Sequence, residues 1–226
     1  MKIIRSTVVA FILLVSSVAD AGIIKITAHT ASDNPNNMQG TGVLVSATVN
    51  GSVGISAHHV VDNGRLTTTI GKNTYNLRVL KAFPENDLAI FEVDGYHDKT
   101  TSQVSLLPAT TGVEYWVSGF PMGNFTARKI KVIGHQRSGF IVTEGAFVGG
   151  ISGGPLVLGN VIYGVVSQTT KHTGLVASTV PAAKWLKANF GVCKNGRCPL
   201  VQKYVRPPTV LAIPLPIPRL IRPGST

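Results

Sequence analysis

Short apolar or alternating segments recur along this chain, and turn residues separate each from the next. Two of them flank Asn50-Gly51, a dipeptide that favours a tight β-hairpin. The chain contains 24 Gly and 13 Pro with only 14% charged residues, which suits short strands and turns better than a helical bundle. Two sets of about six strands are expected, separated by the polar residues 94–105. The sequence therefore predicts an all-β fold.

One segment, residues 180–190, is predicted to be a helix near the end of this strand-rich region. Pro181 suits the first turn of a helix, good helix formers follow it, and Gly191 is placed to end the helix. We expect Trp185 of this helix to pack against the strands.

The first 21 residues have the pattern of a signal peptide. Lys2 and Arg5 precede the apolar residues 8–15, and Ala19-Asp20-Ala21 resembles a cleavage site. The apolar run is shorter than the roughly 20 residues that a membrane-spanning helix needs, so cleavage is favoured over a stable membrane anchor. The sequence predicts a secreted or periplasmic protein whose folded domain covers residues 22–192.

The C-terminal residues 193–226 are expected to form a cysteine loop and a tail. Cys193 and Cys198 enclose an Asn-Gly turn, which favours a disulfide in an oxidising compartment over half of a metal site. The prolines of residues 206–219 prevent helix and central strand, so an extended polyproline-type tail is predicted. This tail is either disordered, a ligand for a partner protein or a cationic antimicrobial segment.

The chain is strongly basic, with a formal net charge of +11 and a pI near 10. Its Lys and Arg residues are spread along the sequence, and no recognised nucleic-acid motif accompanies them. A generally cationic surface is therefore favoured, and no nucleic-acid partner is predicted.

The strongest chemical signal is a glycine-rich turn around a serine. Residues 149–155 read Gly-Gly-Ile-Ser-Gly-Gly-Pro and precede an apolar strand. Nucleophilic catalysis needs Ser152 exposed on such a turn, with the backbone N–H groups of Gly150 and Ser152 directed at a developing oxyanion. Glycines alone would also fit any tight turn, so the motif needs a base and an acid to support it.

A base and an orienting carboxylate are both available upstream. His58 and His59 follow an apolar strand, and from the residues alone either one could take the proton of a serine hydroxyl. Asp87 lies immediately before the apolar residues 88–93, where a carboxylate could fix the histidine tautomer. The weaker candidates, each in a turn-like polar context, are Asp62, Asp94 and Asp98.

These three segments, in the order His, Asp, Ser, resemble the trypsin-like superfamily. They are most similar to the bacterial Deg or high-temperature-requirement protease domain, without a PDZ domain. Residues 56–61 match its histidine segment with His59 in the catalytic place, residues 87–90 its aspartate segment, and residues 150–156 its serine segment. The resemblance implies two six-stranded antiparallel β-barrels with His59, Asp87 and Ser152 between them, an oxyanion hole at Gly150 and Ser152, and neither cofactor nor metal.

The same resemblance implies how a protein or peptide substrate would bind. Ser167 would contact Asp87, and residues 167–169 would pair with the substrate backbone. Ala146 would form the base of the primary pocket, with Thr169 and Gly174 on its walls. This pocket would suit a small or medium apolar side chain, unless His172 reaches it and selects an acidic or glutamine side chain.

The predicted function is therefore that of a secreted or periplasmic serine endopeptidase. Ile151 stands where relatives that mature through a freed N-terminus carry an aspartate, so that activating salt bridge is not expected. The alternative is an inactive homologue that acts as a peptide- or host-binding module. The retention of all three candidate catalytic residues argues against that alternative.

Overall fold

The computed structural model describes residues 22–29, 37–62, 64–99 and 102–190. The predicted signal peptide, the Cys193–Cys198 pair and the proline-rich tail lie outside these ranges and stay predictions. No helix within the ranges is long and apolar enough to cross a membrane.

The first half of the described chain folds into a closed, antiparallel barrel of six strands. Alternate residues of its first strand are buried, as expected for a strand with one face on a core. A four-residue helix, α1 (His58–Val61), follows the third strand. In chain order the strands are β1 (Ile23–His29), β2 (Met38–Ala47), β3 (Gly51–Ser56), β4 (Arg65–Ile70), β5 (Asn73–Phe83) and β6 (Leu88–Asp94).

The second half forms another ring of six antiparallel strands, closed by pairing between β11 (Pro155–Leu158) and β12 (Val161–Thr169). The strand β7 (Gln103–Val104) lies parallel beside β12 and extends this sheet. The helix α2 (Val180–Phe190) comes last. The six strands of the ring are β8 (Glu114–Gly119), β9 (Thr126–His135), β10 (Ile141–Glu144), β11 (Pro155–Leu158), β12 (Val161–Thr169) and β13 (Thr173–Ser178).

The predicted all-β class, the two sets of six strands and the C-terminal helix are confirmed. The helix begins and ends where the sequence placed it, and its fourth residue, Ala183, donates a backbone hydrogen bond to the carbonyl of Thr179. The predicted connection 94–105 also contains β7, which the sequence did not indicate. A strand of only two residues has too few side chains to show an alternating pattern.

The two barrels share an apolar interface. A single buried cluster includes Val43 and Ile90 of the first barrel together with Ile162 and Val165 of the second. Trp185 of α2 packs against the same cluster, as the sequence predicted. Each barrel also has its own core, so the interface fixes one barrel against the other and with them the loops at the junction.

Candidate active site

Ser152 lies on the tight loop that enters β11 of the second barrel, and backbone hydrogen bonds fasten this loop to β12. The N–H of Gly153 donates to the carbonyl of Val166 at 2.7 Å, and the N–H of Val166 donates to the carbonyl of Gly154 at 2.8 Å. Ile151 is buried in the core of the second barrel. The residues on either side of Ser152 are thus anchored, while its own side chain stays partly exposed.

Two glycines of this loop are required by sterics. Gly153 has a φ of +83°, and a Cβ there would overlap the carbonyl oxygen of Thr41. Gly150 has a φ of +92°, and a Cβ there would lie 2.6 Å from the carbonyl oxygen of Phe120. The glycines therefore allow the serine loop to lie directly against β2 and the turn after β8.

The N–H groups of Gly150 and Ser152 in this loop have no acceptor among the described residues. The carbonyl of Gly149 accepts a hydrogen bond from the N–H of Met122 at 3.3 Å. Because the C=O and N–H of a trans peptide point in opposite directions, this bond turns the Gly150 N–H away from Met122. The loop can therefore offer two donors to an oxygen that carries negative charge.

His59 lies on α1 and is held by Asp87 through three contacts. Its Nδ1 is 2.8 Å from Oδ2 and 3.1 Å from Oδ1 of Asp87, and its backbone N–H donates to Oδ1 at 3.0 Å. This arrangement fixes the ring and directs Nε2 away from the carboxylate. His58 instead lies 3.3 Å from Asp62, one helical turn away, so the two neighbouring histidines have different acidic partners.

Asp87 is held in place by its backbone as well as by its side chain. It follows the 3₁₀ turn Pro84–Asn86, has a left-handed φ of +47°, and donates its N–H to the carbonyl of Pro84 at 3.0 Å. Burial alone would raise the pKa of Asp87, but hydrogen bonds from His59 and Ser167 more than offset burial and lower that pKa below its ordinary value. The carboxyl group is therefore kept ionised.

Ser167 connects the carboxylate to the serine loop. Its hydroxyl donates a hydrogen bond to Oδ2 of Asp87. Ser167 lies where the register between β12 and β13 shifts, and such irregularities redirect side chains. The neighbouring Val166 is the residue that bonds Gly153, so His59, Asp87 and the loop of Ser152 are joined by consecutive contacts.

A second connection between the barrels runs through Gly40 of β2. A Cβ at Gly40 would lie 2.5 Å from a methyl group of Val60 in α1 and 3.2 Å from the carbonyl oxygen of Ser152. Helix α1 and the serine loop therefore meet over this residue. The structure brings the segments of all three sequence-predicted residues together at the barrel junction.

No protein-family model matches the chain, and no curated protein matches it. Solved structures do match. The active form of the Rv3671c protease from M. tuberculosis is 23% identical with a TM-score of 0.64, over 80% of this chain and 85% of that one. A serine endoprotease from Yersinia pestis is 16% identical with a TM-score of 0.62, over 74% of this chain and 62% of that one.

A third match is the HtrA-type protease AlgW with a tripeptide. It is 18% identical with a TM-score of 0.62, over 74% of this chain and 60% of that one. The chain has the trypsin-like serine protease fold. At these identities the likeness establishes the trypsin-like fold and leaves the chemistry to the residues of the site.

Within the trypsin-like fold, the predicted pocket residues lie around a phenylalanine that the sequence reasoning missed. The ring of Phe147 occupies the space beside Gly174, where any Cβ would overlap it. The backbone N–H of Phe147 donates to Oγ1 of Thr169 at 2.9 Å, and the carbonyl of Ala146 accepts a hydrogen bond from Arg128 at 2.6 Å. Ala146, Thr169 and Gly174 are thus brought together, with Phe147 between them.

His172 lies in the exposed turn between β12 and β13. Its carbonyl accepts the N–H of Gly145 at 3.1 Å, and its own N–H lies 3.3 Å from Oγ1 of Thr170. These contacts hold the backbone of the turn. The described residues contain no group of three or more His, Cys, Asp or Glu that could hold a metal ion.

Proposed function

We propose that this chain is a serine endopeptidase with Ser152 as nucleophile, His59 as general base and acid, and Asp87 as the group that orients His59. One observation carries the proposal: Ser167, Asp87 and His59 form a hydrogen-bonded line that ends on α1, and α1 meets across Gly40 a serine loop in which the N–H groups of Gly150 and Ser152 have no acceptor among the described residues. A purely structural loop would not need unpaired donors next to an ordered histidine and carboxylate.

Proton transfer follows from how Asp87 holds His59. With Nδ1 directed at the carboxylate, Nε2 is the nitrogen that takes the proton from Ser152 as its oxygen attacks the peptide carbonyl. His59 then donates this proton to the leaving amine, and an acyl-enzyme remains. A water molecule activated by His59 releases the acid product and restores Ser152. The lowered pKa of Asp87 supports a carboxylate that stays charged and stabilises the imidazolium.

The two unpaired N–H groups supply the electrostatic part of catalysis. As Ser152 attacks, negative charge develops on the carbonyl oxygen of the substrate. The N–H groups of Gly150 and Ser152 would donate to that oxygen, and donors already fixed in place need no reorganisation during the reaction.

The open edge of β12 supports binding of an extended substrate backbone. Pairing of β12 with β11 ends at Val165, and Val166 is bonded to the serine loop. Among the described residues, none pairs with the backbone of residues 167–169 on this edge. A peptide that adds here as a strand would gain main-chain hydrogen bonds whatever its sequence, and its side-chain pockets would give the specificity.

We further propose that the primary pocket takes a small apolar side chain, because Phe147 fills the space beside Gly174. Its ring is buried and lies under the Arg128 guanidinium, which is 5.5 Å from the ring centroid. Ala146 offers no charge that would select Lys or Arg. Ala and Val are the expected residues before the scissile bond, with larger residues excluded by the ring.

Replacing Phe147 with alanine should change this preference. The ratio of kcat/KM for a leucine substrate to that for an alanine substrate is expected to rise by at least about tenfold, because the pocket deepens. Truncating the buried ring should also cost about 3–5 kcal/mol of stability. Matched peptides that differ only before the scissile bond provide the measurement.

Phe140→Ala is the control, since Phe140 packs against the inter-barrel cluster rather than the pocket. It should lower stability without changing the ratio. An unchanged ratio in folded Phe147→Ala would show that Phe147 does not limit the pocket.

Export of the mature protein is part of the proposal and rests on the sequence of residues 1–21 alone. A basic start, a short apolar run and a small-residue site are the parts of a cleavable signal. N-terminal sequencing of the protein recovered from the medium or periplasm would identify the cleavage site.

The proposed function is tested by a fluorophosphonate probe, which reacts only with an activated serine. The folded wild-type protein should be labelled, and mass spectrometry of its peptides should place the adduct on Ser152. Ser152→Ala should not be labelled, and heat-unfolded wild type should lose labelling because activation depends on the fold. Absence of labelling in the folded protein would overturn the proposal.

A further inference from the structure

Thr41 of β2 lies at the contact between the two barrels and is completely buried. It belongs to the first barrel, but its hydroxyl and its backbone N–H are bonded to the second. Gly153 of the serine loop packs so closely on its carbonyl oxygen that no side chain fits between them.

The hydroxyl of Thr41 bonds both the serine loop and the turn after β8. Oγ1 donates to the carbonyl of Gly150 at 2.9 Å and accepts the N–H of Phe120 at 3.1 Å. A valine has the same shape and can do neither. Both partners of this hydroxyl are backbone groups.

The backbone of Thr41 holds the other end of the same loop. Its N–H donates to the carbonyl of Ser152 at 2.8 Å. Its carbonyl accepts the hydroxyl of Ser56 at 2.7 Å, which connects the arrangement to β3. Thr41 therefore bonds the carbonyls of both Gly150 and Ser152.

We propose that Thr41 is a positioning residue that keeps the oxyanion hole preformed, an inference that rests on the proposed function. The N–H of Ser152 belongs to the Ile151–Ser152 peptide, which lies between the two peptides whose carbonyls Thr41 holds. With those two planes fixed, the intervening peptide has little freedom to rotate its N–H out of the site. The Thr41 hydroxyl thus acts on the reaction through the loop and does not touch the substrate.

The Thr41 contacts would take the place of the salt bridge that a freed N-terminus forms with an aspartate in other relatives, and they are uncharged. Ile151 has no carboxylate to offer a charged amine, and its side chain is 3% exposed and packs in the second core. A hydroxyl and backbone amides do not titrate near neutral pH. Support from Thr41 is therefore present as soon as the two barrels are docked, without a charged group that must first be released.

Thr41→Val and Thr41→Ser separate the hydroxyl from the packing of the side chain. Thr41→Val should lower kcat by roughly 10- to 100-fold with little change in KM. This loss in kcat is no larger than the loss expected when an oxyanion donor itself is removed. Thr41→Ser keeps the hydroxyl and should retain a kcat within about threefold of wild type. Thr41→Ala serves as a second variant without the hydroxyl if Thr41→Val does not fold.

A second measurement does not depend on catalysis. Hydrogen exchange followed by mass spectrometry should show faster exchange in the peptides that cover residues 146–156 for Thr41→Val, but not for Thr41→Ser. Thr179→Val is the matched control, because Thr179 is equally buried and its hydroxyl donates to the carbonyl of Ile162 at 3.2 Å, away from the serine loop. It should lower the melting temperature while leaving kcat and loop exchange unchanged.

The outcomes distinguish the two proposals. Equal kcat and loop exchange in Thr41→Val and wild type would overturn the role of Thr41, as would equal losses in Thr41→Val and Thr179→Val. If fluorophosphonate did not label the wild-type protein but Thr41→Val still showed faster exchange in the loop, the endopeptidase proposal would be rejected. The role of Thr41 in holding the loop would be supported.

Discussion

Replacing His59 with alanine is expected to lower kcat by about 10⁶-fold, whereas replacing His58 should leave kcat nearly unchanged. The two residues are neighbours on α1 and have the same chemistry. Only His59 is bonded to Asp87, with Nδ1 to Oδ2 at 2.8 Å, and this bond leaves its Nε2 atom directed away from the carboxylate. A serine hydroxyl without a base is a very weak nucleophile, so the loss should be nearly complete.

The pair of variants is its own control. His58 lies 3.3 Å from Asp62 in a polar turn, so His58→Ala removes an imidazole of the same kind from the same helix. Steady-state kinetics on one peptide substrate, with melting curves for both variants, would give the comparison. If both variants lost activity equally, or His58→Ala lost more, the assignment of His59 would be wrong.

The fold was predictable in outline because strands have a local signature. Apolar alternation and the turns between the segments indicated two sets of strands, and the signature of α2 was complete from Pro181 to Phe190. Closure of each set into a barrel depends on pairings such as β8 with β11 and β1 with β4. Such pairings join distant segments, so local pattern does not reveal them, and the barrels came from the family resemblance.

The choice between the two histidines shows where reasoning from the residues stopped. Neighbours on a strand point in opposite directions, which left either residue possible. The structure places both on the helical turn α1, where successive side chains are about 100° apart and each finds a different carboxylate. The carboxylate that each histidine contacts, and not the face of a strand on which it lies, distinguishes His59 from His58.

Thr41 and Phe147 were missed because their contacts are made across the fold. Thr41 is one threonine among many, although Gly40 and Gly42 flank it in a strand, and glycines there often mark the close approach of another backbone. Phe147 looked like an ordinary apolar residue near a loop. Its position beside Gly174 depends on how β13 meets the serine loop, which no short sequence window contains.

Asp87→Asn is expected to lower kcat by about 10⁴-fold without disturbing the backbone. Asn is one of the few residues that accept a left-handed conformation, so the φ of +47° at this position can be kept. The amide, however, can donate a hydrogen bond to Nδ1 of His59. That bond would favour the tautomer with its proton on Nε2, which cannot accept the proton of Ser152.

Asp62→Asn is the matched control for this change. Asp62 also pairs with a histidine of α1, but that histidine is His58. Its replacement should leave kcat nearly unchanged under the same assay. A loss in Asp62→Asn as large as that in Asp87→Asn would show that the effect comes from surface charge near α1 and not from the orientation of His59.

The acid stability of the same variant tests whether the carboxylate is charged in the folded protein. Since the pKa of Asp87 is lowered on folding, its ionised form stabilises the fold fully above the pKa of an unfolded aspartate, about 3.9, and this contribution is lost as the pH falls through the lower folded value. Asn carries no such titration. Urea unfolding from pH 7 to pH 3 should therefore show wild type losing its stability advantage over Asp87→Asn as the pH drops below about 4. If that advantage stayed constant or grew, Asp87 would not be held as a carboxylate by His59 and Ser167.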